Sequence, residues 1–324
     1  MKKVFLPSIL VLLAFWLAAC NEEPFSPKGE YQERYALFGI MRADTNLQVV
    51  TVTKSYDVEG LNPFANKKDP FVKNCFIRIW RGKDEVHILR DSMTMRTIDK
   101  RYPDSARFYY TDNLIPKKDD VLEIECLLPN GRRLKAKTKV LNPWELDVSH
   151  TDNIFPSKDK PYVMLRWRSS VPDLVYSPRV MLYYDKKING VFHLEKVDVP
   201  LTYTVDNGKR VPVYARPSNN LYLKIDTLAI GNVLREISKD DPVKSNYRIR
   251  AIIIHFYIYD RNLSAFYSSS RKIGDEFSVR VDELDFTNIE GGFGVFGSYT
   301  VQKYAIFIDT EYLLKMGYSY LTRP

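Results

Sequence analysis

The stretch Arg248–Asp260 constrains the fold more than any other. Ile252, Ile254, Phe256 and Ile258 occupy one alternating face, and Ile249, Ala251, Ile253, Tyr257 and Tyr259 occupy the other. A strand that is apolar on both faces is covered on both, so this one belongs at the centre of a sheet. Shorter runs with the same period of two recur along the chain, separated by Gly, Pro, Asn and Asp. They predict a mostly β protein built as two β-sandwich-like domains, the second with one or two short helices. The 324 residues suffice for two domains of about 150 residues each.

The first domain is predicted over residues 31–142, with seven strands at 34–42, 48–56, 73–81, 85–90, 107–111, 121–128 and 132–140. Their number and spacing fit an immunoglobulin-like or transthyretin-like sandwich. Asn130-Gly131 predicts a type I′ hairpin turn before the last strand. In that strand Leu134, Ala136, Thr138 and Val140 face one way, and Arg133, Lys135, Lys137 and Lys139 the other. The basic row reads either as a phosphate-binding ladder or as a charged edge that discourages strand addition. Residues 143–161 are rich in Pro and polar groups and predict a linker, with Trp144 packed into the junction. Residues 162–324 form the larger β-rich domain, with closing strands over 293–301 and 304–309. Within it, Asp226-Thr227 precedes an Ile230, Val233, Leu234, Ile237 stripe, which predicts a capped helix packed on the core. A second short helix is predicted over 262–270.

The first twenty residues do not belong to either domain. Lys2 and Lys3 precede a thirteen-residue apolar run, Val4–Trp16, interrupted at Pro7, and Leu17-Ala18-Ala19-Cys20 follows. Basic, apolar and small-residue segments in that order are a secretory signal. The run is shorter than the roughly 20 apolar residues that cross a bilayer. Cysteine directly after the small residues resembles a bacterial lipobox, in which the thiol takes a diacylglyceryl group and cleavage leaves Cys20 first. Residues 21–30 then read as a tether, held extended by Pro24 and Pro27. The formal charge is +8, and residues 27–142 carry 22 Lys+Arg against 16 Asp+Glu. That excess could meet acidic head groups, or be a solvated face. It falls well short of the clustered footprint of a nucleic-acid binder, so nucleic acid is not an expected partner.

Two cysteines remain. Cys75 shares parity with Ile77 and Ile79, and Cys126 with Leu122, Ile124 and Leu128, so both thiols are expected to face the core. They could form a disulfide, contributing about 4 kcal/mol on the loop-entropy model, or stay as two buried thiols. Gly292–Gly297 fits G-x-G-x-x-G but lacks the strand before and the helix after that a dinucleotide site needs. Its glycines read as a bend or bulge where backbones approach closely. His87, His150, His193 and His255 have no partner at metal-ligand spacing. His255, within the central strand, is expected to be buried and hydrogen-bonded. G-x-S-x-G is absent. No catalytic, cofactor or metal residue is assigned. Trp80, beside Arg78, and Tyr109 are the residues expected to form an exposed aromatic platform for a glycan or peptide. Asp91-Ser92-Met93, Asp104-Ser105-Ala106 and Asp226-Thr227-Leu228 resemble an O-glycosylation pattern.

Three segments carry a family resemblance: Cys20 with Pro24-Phe25 and Tyr35–Ile40, Leu127–Thr138, and Thr287–Gly297. Together they resemble a Bacteroidota lipoprotein family of a domain of unknown function (number four-two-four-nine). Asn21-Glu22-Glu23 resembles the signal that exports such lipoproteins to the outer face of the outer membrane. The resemblance implies a lipid-anchored outer-membrane protein, at the cell surface or else on the periplasmic face, often encoded beside TonB-dependent receptors and without an established activity. The expected role is a non-catalytic binding or accessory subunit of a TonB-dependent uptake system. A surface adhesin or structural envelope protein is one alternative. An envelope hydrolase whose paired carboxylates leave no sequence mark is another.

Overall fold

The computed structural model describes residues 30–60, 62–96, 101–102, 105–142, 146–149, 153–154, 161–270 and 286–320. The segment read as a lipoprotein leader, with Cys20, the residues to Gly29 read as a tether, Trp144, His150 and Asp104 lie outside them. The protein is mostly β, with three short helices among the described residues.

Eight strands form the first half: β1 (Tyr35–Arg42), β2 (Gln48–Lys54), β3 (Phe76–Arg81), β4 (Glu85–Ile88), β5 (Arg90–Thr94), β6 (Ala106–Thr111), β7 (Val121–Leu127) and β8 (Arg133–Lys139). They make two layers. One is the sheet β4-β3-β7-β8, and the other contains β1-β2-β6-β5. Leu37, Val50, Ile77, Ile79, Leu122 and Leu134 are fully buried between them. The expected run 85–90 is two strands, not one. The chain crosses from one layer to the other at buried Leu89, so β4 pairs with β3 and β5 with β6. The turn before β8 also differs from expectation. Only Gly131 has a positive φ, of 82°, and its N–H donates to the Leu128 carbonyl at 2.9 Å. This is a type I turn with a glycine bulge, because Pro129 holds φ near −65° and suits the first turn position. The type I′ geometry occurs instead at Asn189-Gly190 and Asn207-Gly208, where both residues of each pair have positive φ.

The second half adds β9 (Leu146–Ser149), β10 (Asn153–Ile154), β11 (Tyr162–Ser169), β12 (Tyr176–Ile188), β13 (Val191–Asp198), β14 (Thr202–Asp206), β15 (Lys209–Val213) and β16 (Tyr222–Asp226). Then come α1 (Thr227–Ile237), β17 (Tyr247–Tyr259), α2 (Arg261–Ser270), β18 (Phe293–Ile308), α3 (Thr310–Lys315) and β19 (Ser319–Tyr320). β17 is the central strand, flanked by β12 and β18. Its inner face packs Ile252, Ile254 and Phe256 against Trp167 and Leu165 of β11 and against Ile230 and Leu234 of α1. A bulge opposite Tyr183 and Tyr184 leaves Arg250 unpaired. It reverses the parity, so Ile249 joins the same core as Ile252 rather than the opposite face expected from strict alternation. Asp226 caps α1, accepting from the Leu228 N–H at 2.9 Å. Thr227 is buried at the first position of α1 and is not available for a glycan.

The predicted linker contains two short strands. β9 pairs with β11, and β10 pairs with β18. The two expected closing strands are one sixteen-residue strand, β18, that serves both halves. Its first part runs parallel to β1, from Phe293 opposite Ala36 to Tyr299 opposite Arg42. Its second part runs antiparallel to β17. Phe296 therefore fills the first core, while Ile306 and Ile308 fill the second.

The glycines before and within β18 are where backbones meet, as their spacing suggested. A Cβ on Gly291 would stand 2.5 Å from the Arg133 carbonyl oxygen, and one on Gly292 2.7 Å from that of Tyr35. Asn288 completes the arrangement. Its carboxamide accepts from the Phe296 N–H at 2.9 Å and donates to the Phe296 carbonyl at 2.8 Å, as a neighbouring strand would.

Asp260 ties the halves together. It follows β17 and is buried. Its Oδ1 accepts from the Leu263 N–H at 2.8 Å, which caps α2. Its Oδ2 accepts from the Ser298 N–H at 2.9 Å, the Ser298 hydroxyl at 3.2 Å and the Thr138 hydroxyl of β8. Burial pushes its pKa up to about 6, although these donors pull it down. Between about pH 4 and 6 the folded chain thus holds a proton that the unfolded chain has lost. Stability contributed by the protonated form is complete below that window and is lost as pH rises through it. The loss is on the order of 3 kcal/mol. Thermal midpoints of the wild type should fall relative to Asp260→Asn from pH 4 to 7. Parallel curves for the two proteins would show that this carboxyl does not titrate there.

Candidate functional site

The outer face of β4-β3-β7-β8 gathers the residues best placed to bind a ligand. Alternation turns Phe76, Arg78 and Trp80 of β3 outward, because Ile77 and Ile79 face the core. Register then builds rows across the sheet. Val86, Trp80, Glu123 and Lys137 form one, and Ile88, Arg78, Glu125 and Lys135 form the next. Apolar residues thus stand at the β4 edge and cations at the β8 edge.

Glu125 is the electrostatic centre. Arg78 reaches it at 2.6 Å, Arg133 at 3.2 Å and Lys135 at 3.6 Å. The Arg78 hydrogen bond, helped by Arg133 and Lys135, holds the Glu125 carboxyl below the usual carboxylate range. Arg78 also lies against two rings, 4.8 Å from the centre of Trp80 and 5.4 Å from that of Phe76. Cation–π contact and ion pairing together hold the guanidinium and the indole in one orientation. A shallow hollow of about 760 Å³ opens here, lined by Trp80, Lys83, Glu123, Lys135, Asn288 and Glu290 among others. A rigid aromatic surface beside fixed donors and acceptors suits a sugar ring or a peptide side chain.

The sequence-predicted residues fare differently. Trp80 is half-buried with its indole on this face. Tyr109 is not a platform residue. It is 1% exposed, its ring stacks on Phe71, and its hydroxyl donates to the Val72 carbonyl at 2.7 Å and accepts from the Cys75 N–H at 3.0 Å. β6 turns it inward because Tyr109 pairs with Val50, a core residue. Cys75 and Cys126 are both buried and free, so the bridge between them is not formed in this structure. The Cys75 thiol donates to the Val72 carbonyl at 3.6 Å, and the neighbouring Cys75 group, with burial, drives the Cys126 pKa upward. Register places Cys126 opposite Ile77 rather than opposite Cys75. The basic row of β8 does lie at the sheet edge. Lys137 pairs with Glu123 at 2.7 Å and Lys139 with Asp119 at 3.1 Å, and Arg133 and Lys135 engage Glu125. These carboxylates already occupy the charges a phosphate would need, which favours the charged-edge reading.

His87 sits 2.9 Å from Asn113 Oδ1 and 2.9 Å from Glu85, and His255 is buried with its Nε2 3.2 Å from the Tyr183 hydroxyl. His193 is exposed on β13. No group of three or more His, Cys, Asp and Glu is placed to hold a metal among the described residues. Sequence reasoning missed Phe76, Glu125 and Asn288. The parity of β3 announces Phe76 and that of β7 announces Glu125, whereas Asn288 reaches this face only because its segment pairs with β8 at Lys135. No family model matches this chain, and no curated protein matches it.

Proposed function

We propose that this chain is a lipid-anchored protein of the outer membrane, exposed at the cell surface, that acts as a non-catalytic binding or accessory subunit of a TonB-dependent nutrient uptake system. The binding part of this reading is carried by the open face at Trp80, where an aromatic ring and a fixed lattice of charges share one hollow. The anchor rests on the Met1–Cys20 pattern. The receptor partner rests on the lipoprotein-family resemblance. A glycan or a peptide is the ligand class that suits the face.

Cross-linking of intact cells, followed by mild solubilisation, tests the partnership. A TonB-dependent receptor should co-purify with the protein. Its absence, together with normal nutrient uptake and poor attachment in a deletion strain, would favour an adhesin instead. Release of products from a glycan or peptide by the purified protein would favour a hydrolase. Trp80→Ala tests the face itself. Affinity for the bound glycan or peptide should fall about tenfold or more, which is about 1.4 kcal/mol, with an unchanged thermal midpoint. Unchanged affinity would remove this face from the reading.

A further inference from the structure

A second set of side chains stands on the outer face of the large sheet, in the other half of the molecule. Arg179 of β12 pairs with His255 of β17, and His255 pairs with Lys303 of β18. Directly paired residues point to the same face, so three basic groups lie side by side. Two rows further along the same face, Lys196 of β13 pairs with Tyr183 of β12. Like charges in direct opposition destabilise a sheet, and this row is relieved only in part. Asp198 holds Arg179 in a fork, at 2.8 and 2.9 Å. The His255 ring lies parallel to Tyr183 and shares a hydrogen bond with its hydroxyl. Burial, then Lys303, Lys196 and Arg179, press its pKa down, with Asp44 acting weakly the other way. Lys196 and Lys303 are exposed and form no ion pair among the described residues. Tyr257 follows His255 on the same face, and a hollow of about 280 Å³ lined by Arg179, Asp198, Tyr214 and Tyr257 opens beside it.

We propose that the Arg179–His255–Lys303 row, with Lys196, Tyr183 and Tyr257, is a binding site for an acidic sugar of the uronic acid class. The carboxylate would sit over His255, where it faces Lys303 and Lys196 and supplies the missing counter-charge. The sugar ring would lie against the tyrosines. Neighbouring strands are about 4.8 Å apart, so Arg179 and Lys303 flank a span of roughly 10 Å, wide enough for one ring. The site is separate from the Trp80 face and does not depend on a receptor partner.

Calorimetric titration of the full-length protein in detergent, with glucuronate, glucose and inorganic phosphate, tests this. Glucuronate should bind saturably and at least about tenfold more tightly than either of the others. The His255 imidazole, followed by NMR, should titrate at higher pH with glucuronate present and not with glucose. Lys303→Gln should weaken glucuronate about tenfold or more, while the thermal midpoint without ligand stays or rises, since a like charge is removed. Tyr257→Ala should weaken glucuronate and leave phosphate unaffected. Absence of saturable glucuronate binding, equal binding of glucose or phosphate, or unchanged affinity in Lys303→Gln would each overturn the assignment.

Discussion

Gly294→Ala is expected to abolish stable folding, or to lower stability by more than about 4 kcal/mol, beyond the range of ordinary substitutions. Gly294 has φ of 103°, where side chains are strained. Its added Cβ would stand 2.2 Å from the Leu37 carbonyl oxygen and 2.9 Å from the carbonyl carbon. Neither atom can move alone, because Leu37 is the residue that Gly294 pairs with in the parallel ladder between β1 and β18. Relief of the clash means separating those strands, and with them Phe296, which is fully buried in the first core. Gly190→Ala is the matched control. Its φ is 85°, but nothing lies within 4 Å of the added carbon, so backbone strain alone should cost about 1–2 kcal/mol. Urea unfolding of both variants measures the difference. Similar losses would mean that the close approach at Gly294 does not hold the halves together.

Cys20→Ala is expected to have an equally large effect on location. Each buried CH₂ of an acyl chain contributes about 0.8 kcal/mol, and two chains give stable anchoring where one is marginal. With its thiol replaced, the protein should incorporate no radiolabelled fatty acid and should leave the membrane fraction. Labelling that persists in Cys20→Ala would place the lipid elsewhere or refute the anchor. The substitution leaves both β halves intact, so folding measured by circular dichroism should not change.

Much of the architecture is legible as local pattern. The strands of the first half, β5 excepted, appear within a few residues of their expected positions, since each needs only an alternating face and turn residues at its ends. α1 was legible from its cap and its apolar stripe. The failures share a cause. β14 buries none of its residues, so it carries no alternation to read. β18 was divided because Gln302-Lys303 interrupts its apolar run, although Lys303 merely faces outward from a continuous strand. Tyr109 turns inward because its partner Val50, in β2 and far back in the chain, sets its direction.

The candidate sites divide in the same way. Trp80 and the β8 cations could be named from parity, because side-chain direction within one strand follows from a period of two. Their neighbours could not. The ion pairs at Glu125, the row joining Arg179 to His255 and Lys303, and the clasp at Asp260 each join residues from strands far apart in the chain. Short-range order is written in the spacing of apolar residues, so element type and inward faces were available without coordinates. Which strand lies beside which, and in what register, depends on packing summed over both cores. That long-range choice ran one large sheet through both halves and brought the exposed charges into rows.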